Sequence, residues 1–290
     1  MRLLALLLTL SSPALADGPF WPHWSDGKAE LSGYDLVQPR YGEKRHGRAV
    51  LIFVTEPFSR ARGVKVDQYN PNDPDHFTAL KLNAVRKFQT GIYDYSVMTS
   101  VFADPSRGFA PVKVSFSSQE WCGHVYEEAR FGEAADVRVD SYFEGETRAE
   151  RVAVAGAEDG LFITLRELAA PTLAGQPASA PLLPSALDRR LRHQPVKAAA
   201  IGVQWGPSTS VTVPAGTFAV RTATWTRGVG GQCQADIEEA YPHRIIGWRC
   251  DDGEQARLLG SERIPYWQTH GEGDEALLGR LGLKPMGVAP

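Results

Sequence analysis

Cysteine is scarce in this chain, with three in 290 residues, at 122, 233 and 250. An odd number leaves at least one thiol unpaired or paired with another chain. Neither sign of charge is in excess: 31 Lys and Arg stand against 34 Asp and Glu. Nothing in that balance implies a polyanionic partner, and no nucleic acid is expected, since a nucleic-acid binder would show a basic patch. The seven histidines show no HExxH, and no Gly-x-Ser-x-Gly elbow appears. Gly228-Val229-Gly230-Gly231 has no Lys-Ser/Thr after it, so it is a hairpin tip and not a phosphate loop. No metal ligand set and no cofactor is expected. Past the first residues, no apolar run approaches the ~20 residues a spanning helix needs, so no transmembrane segment is expected.

The single long apolar run stands at the very start. Met1-Arg2 precedes Leu3 to Leu10, followed by Ser-Ser-Pro and Ala14-Leu15-Ala16. A positive start, a short apolar stretch and an A-x-A end make a secretory signal peptide over 1–16, cleaved after Ala16. The expectation is an exported protein, periplasmic or extracellular. No cysteine follows the apolar stretch, so a lipid anchor there is excluded and a soluble product is expected.

Residues 17–27 hold two prolines and two tryptophans and read as an ordered arm laid on the body. From Lys28 onward, short apolar-polar alternations follow one another. They cover 28–38, 48–56, 80–90, 92–102, 111–126, 136–143 and 147–155, then 198–205, 208–213, 217–227, 232–240 and 244–250. Strand after strand at this spacing predicts an antiparallel β protein. The expected fold is mainly β, a curved sheet or open β-barrel with one or two short covering helices. Residues 28–290 form a single β-rich domain in two halves, about 28–168 and 196–270. An Ala/Pro-rich stretch at 169–184 links them. A short helix is expected over 185–194, where Ser185 is an N-cap, and a terminal helix over 272–283.

Gln232–Ala240 and Arg244–Cys250 flank Tyr241-Pro242. A hairpin centred there sets Cys233 directly opposite Cys250, close enough for a structural disulfide.

Trp121-Cys122-Gly123-His124 is the stretch closest to chemistry. On an unbroken strand, Cys122 and His124 share a face with Val112, Val114 and Phe116. A thiol beside an imidazole suits a nucleophile or half of a metal site. A small buried hydrophobe and a hydrogen-bonded histidine fit the same residues. Phe53, Val114, Phe116, Cys122 and His124 would then line a concave interior for a lipid or small apolar ligand. The leading expectation is a non-catalytic periplasmic or envelope-associated binding protein. The alternative is an exported enzyme using Cys122 and His124.

Several segments resemble a known family. Lys28–Tyr34, Arg40–Glu43, Ala49–Glu56, Gly91–Ser100 and Gln119–His124 together are similar to an exported bacterial family of unknown function. Its members are secreted proteins and lipoproteins, some labelled septum formation inhibitor Maf. True Maf proteins are cytosolic nucleotide pyrophosphatases with an N-terminal Ser-Pro-Arg-Arg motif, which this chain lacks. Membership implies export and no particular activity. Val213-Pro-Ala-Gly-Thr-Phe218 resembles a hairpin of another exported β family, similar to the curved-sheet lipoprotein carriers of the bacterial envelope.

Overall fold

A computed structural model describes residues 18–154, 156–167 and 178–285. The signal peptide expected over 1–16 lies outside these residues. One antiparallel sheet of fifteen strands dominates. The first nine are β1 (Ala29–Arg40), β2 (Glu43–Ser59), β3 (Val64–Lys65), β4 (His76–Thr90), β5 (Tyr93–Asp104), β6 (Ala110–Glu120), β7 (Gly123–Phe131), β8 (Ala135–Ser141) and β9 (Arg148–Val152). The other six are β10 (Ala178–Leu182), β11 (Ala199–Val213), β12 (Gly216–Thr226), β13 (Gln232–Glu238), β14 (Ile245–Cys250) and β15 (Gln255–Ile264).

Neighbours in sequence are mostly neighbours in the sheet, though β9 and β10 stand at its opposite edges. β15 pairs with β1 and joins the two halves, while β3 is a two-residue appendage of β2. The sheet therefore starts at β10, passes through β15 and β1 in its middle, and ends at β9. It does not close by a ladder. The segments just beyond its two edge strands meet through one parallel bridge, Ala157 to Leu183.

The expected mainly β, open-barrel class is observed. Two differences from the sequence reading matter. The stretch 111–126 is not one strand: it divides into β6 and β7 around a turn at Trp121-Cys122. Neither β10, inside the stretch at 169–184 read as a linker, nor β15 was expected. The outward positions of β15 carry Arg257 and Glu262, Arg263 turns to His23 and Trp24, and only Ala256 and Leu258 mark its buried face.

Three short α-helices cover the sheet: α1 (Phe20–Trp24), α2 (Leu161–Glu167) and α3 (Ala186–Leu191). α1 buries Phe20 and Trp24 in the core, within the arm at 17–27. α2 sends Leu161, Ile163 and Leu165 into the main cluster, which also holds Leu51, Leu82, Val101 and Val137. Burial of such side chains is worth about 1.5–3 kcal/mol each. α3 opens on Ser185, whose hydroxyl accepts the Asp188 N–H. At the chain's end, 274–281 forms a 3₁₀ helix instead of an α-helix. It packs Leu281 and Leu283 against Ala29, Leu31 and Val54 on the outer side of the sheet.

Two buried arginines are paired with buried carboxylates. The Arg166 guanidinium, fully buried on α2, grips both oxygens of Glu30 at 2.7 and 3.0 Å. It also lies 4.1 Å from the Phe53 ring centre. Arg189 on α3 binds both oxygens of Glu127 on β7.

Candidate functional site

The disulfide is where the hairpin register places it. Cys233 pairs directly with Cys250 across β13 and β14, and the two sulfurs are bonded. Both cysteines line the wall of an interior cavity, which is the strongest candidate site among the described residues.

The cavity lies between the concave sheet and a roof made by α2 and the start of α3. Leu82, Ala84 and Arg86 of β4, Thr99 and Val101 of β5, Trp225 of β12 and Trp248 of β14 form the floor. Glu158, Asp159, Leu161, Phe162, Ser185, Leu187 and Asp188 form the roof. About 80 Å³ is open to water-sized groups. That is well below the roughly 300–1,000 Å³ of sites for drug-sized ligands. Phe162 takes up much of the room. Its ring centre lies 5.3 Å from Trp248 and 6.3 Å from Trp225.

The polar lining is a set of linked charges. Glu158 accepts the Trp225 indole N–H at 3.1 Å and the backbone N–H groups of Ser185 and Gly228 at 3.1 and 3.0 Å. Burial pushes its carboxyl up to about 7, helped by the nearby Asp188 charge and opposed by those two backbone donors. Asp159 accepts the Ser185 hydroxyl and the Ala186 N–H, both at 2.9 Å. Burial raises it to about 6 against those two bonds. These two carboxylates satisfy the amide donors that a helix start leaves unpaired, so they fix α3 as the roof. Burial also raises Asp188, whose carboxylate pairs with Arg227.

Arg86 differs from the rest. Its Nη1 donates to Gln38 Oε1 at 2.9 Å and Glu254 Oε1 at 2.7 Å. The guanidinium stands 5.5 Å from the Trp248 ring centre. A guanidinium carries five N–H donors, so Arg86 has donors to spare. Trp248 donates its indole N–H to the same Glu254 oxygen at 2.6 Å. No histidine lines the cavity.

The residues singled out in the sequence fall elsewhere. Phe53 and Val114 are buried in the main core cluster. Phe116 belongs to a second cluster with Phe88, Tyr95, Val97 and Val125. None of the three touches the cavity. Cys122 and His124 do not face the interior with them: both are exposed at the β6–β7 hairpin tip. The Trp121-Cys122 turn resets the alternation, so Val125, Glu127 and Ala129 take the inward positions instead. The Cys122 thiol is raised by the carboxylate of Glu120. A nucleophilic thiol needs the opposite shift. Among the described residues, no group of three or more His, Cys, Asp or Glu side chains is placed to hold a metal ion.

Sequence reasoning missed Arg86, Glu158, Phe162, Trp225, Trp248 and Glu254. The available signal was register. Once Cys233 is set opposite Cys250, Trp225 and Trp248 follow as inward neighbours on β12 and β14.

The fold has a solved counterpart. The chain is similar to a β-barrel-like protein of the Domain of Unknown Function DUF1849 from Brucella abortus, with a TM-score of 0.51 and 11% identity. The likeness covers 82% of this chain and 98% of that one. At that identity it is one of fold alone. No family model matches the chain, and no curated protein matches it in sequence. No helix among the described residues is long and apolar enough to cross a membrane.

Proposed function

We propose that this is an exported, non-catalytic binding protein of the bacterial envelope. It holds a small amphipathic molecule in the cavity beneath α2 and α3. One observation carries the reading: an aromatic floor of Trp225 and Trp248 lies beside Arg86, a guanidinium with donors left over. An apolar part would rest on the rings, displacing Phe162 where it needs more room. A hydrogen-bond-accepting head would turn to Arg86. The Cys233–Cys250 bridge fits an oxidising compartment, which supports export. The raised Cys122 thiol, outside the cavity, speaks against catalysis by Cys122 and His124.

Native mass spectrometry of protein recovered from a bacterial periplasm tests this. The expected result is extra mass that leaves on denaturation and is retained about tenfold less by Arg86→Gln, the loss of one charge-assisted hydrogen bond. Wild-type protein with no extra mass, and no thermal shift with fatty acids or lysophospholipids, would overturn it.

A further inference from the structure

Antiparallel order sends the β1–β2, β4–β5, β6–β7 and β8–β9 connections to one end of the sheet. Three are two-residue turns: Tyr41-Gly42, Gly91-Ile92 and Trp121-Cys122. The fourth is the loop from Tyr142 to Thr147. Each carries a bulky apolar side chain turned to solvent: Tyr41 at 57% exposure, Ile92 at 80%, Trp121 at 69% and Tyr142 at 64%. A tight polar turn needs none of these residues.

The tips touch one another and form one rim. The Tyr41 and Tyr95 hydroxyls lie 2.9 Å apart. Tyr95 meets Tyr93 at 6.0 Å between ring centres, and Tyr93 meets Trp121 at 6.4 Å. Tyr142 lies across Gly123, where any Cβ would collide with its ring. Val64, Tyr69, Met98, Tyr126 and Trp267, also exposed, sit on other loops and outer strand faces.

We propose that this rim docks the protein on the headgroup layer of a zwitterionic phospholipid bilayer. Shape and chemistry choose the partner. The apolar groups stand in a row of protruding turns along one rim, which suits a fluid layer better than a matching protein surface. Tyr and Trp have an apolar body and a polar end, the combination enriched at membrane–water interfaces. Charge then selects the headgroup. Arg40, Lys44, Arg45, Arg148 and Arg190 flank the tips against Glu43, Asp94, Glu120, Glu144 and Glu146, with Arg190 and Glu146 paired to each other. Equal numbers of each sign give no attraction for an anionic surface and match a headgroup bearing both charges. The rim lies at the end of the sheet where α3 roofs the cavity, and the docking does not depend on what the cavity holds.

Flotation of the protein with phosphatidylcholine–phosphatidylethanolamine vesicles tests the proposal. Wild type should float with the vesicles. Ile92→Ser with Trp121→Ser should reduce the bound fraction at least about tenfold while keeping the thermal midpoint and any bound mass in the cavity. Ile92→Lys alone, at the most exposed tip, should weaken binding in the same direction should the double variant fold poorly. Failure of wild type to float at millimolar lipid would overturn the proposal. So would undiminished flotation of the folded variants, binding that requires anionic lipid, or capture of the rim by a protein in place of vesicles. Loss of the cavity's bound mass leaves this proposal standing and removes the previous one.

Discussion

Gly33 of β1 stands directly opposite Gly260 of β15, at the junction of the two halves of the sheet. Neither position tolerates a Cβ. A side chain at Gly33 would run into the Leu281 carbonyl, and one at Gly260 into the Arg280 carbonyl. The glycine pair is a notch that lets the chain's final helical turn lie on the sheet. Gly260→Val should lift that turn and lower stability by about 1–3 kcal/mol. Limited proteolysis should then cut near Arg280, where wild type resists. Equal resistance would show that the notch is not needed.

The disulfide clamps neighbouring strands across a separation of 17 residues. Closing a loop of that size is worth about 3 kcal/mol in the chain-entropy account. Replacing both cysteines with serine should lower the urea midpoint accordingly, and a reductant should do the same to wild type. A variant as stable as wild type would show that the bridge contributes nothing.

Arg166 and Glu30 are both buried and joined by two hydrogen bonds. Removing one partner strands a charge. Arg166→Met should cost about 3–5 kcal/mol, while pairing it with Glu30→Met should restore much of the loss. Additive losses in the double-mutant cycle would argue against coupling.

Acid should stabilise part of this molecule. Burial raises the Glu167 carboxyl to about 7, against the pull of Arg166 and the Trp24 indole N–H. The folded state therefore holds this proton more tightly than the unfolded chain, whose carboxyl titrates near 4.5. That stabilisation is complete below about pH 4.5 and is lost as pH rises through about 7. Glu158, raised to about 7, and Asp159, raised to about 6, act in the same direction. Glu128 opposes them: Lys113, Arg130 and Tyr126 hold it down to about 2, so its contribution is lost only as acid approaches that value. Glu167→Gln should gain about 1–3 kcal/mol at pH 8 and little at pH 4.5. Denaturation midpoints across that range measure it, and a pH-independent difference would contradict the assignment.

Cys122 should alkylate slowly for an exposed thiol, because the Glu120 carboxylate disfavours the thiolate. Glu120→Gln should speed iodoacetamide labelling at pH 8. An unchanged rate would remove Glu120 as the cause.

Much of the sheet was legible because one face of each strand is buried. In β6, Val112, Val114 and Phe116 alternate with Lys113, Ser115 and Ser117, and no other structure explains that period. The Cys233–Cys250 pairing was legible because hairpin register is arithmetic. Alternation failed where it was counted through a turn, and so it placed Cys122 and His124 inside. It failed at β15, whose exposed positions are charged and whose inward residues are few. α2 carries an apolar run too short to show its period. Of the cavity, only the inward placing of Trp225 and Trp248 could be read, from the register of the cysteine hairpin. Arg86, Glu158, Phe162, Trp225 and Trp248 come from distant segments, and only the curvature of the finished sheet brings them together.

The pairing of β15 with β1 sets an order on events during synthesis. β1, the first strand among the described residues, keeps one edge bare until β15, the last of them, has been made. No stretch released early can assemble the middle of the sheet by itself. Contacts between such distant segments slow folding. One edge of β1 thus stays unsatisfied until Ile264 comes to lie opposite Ala29.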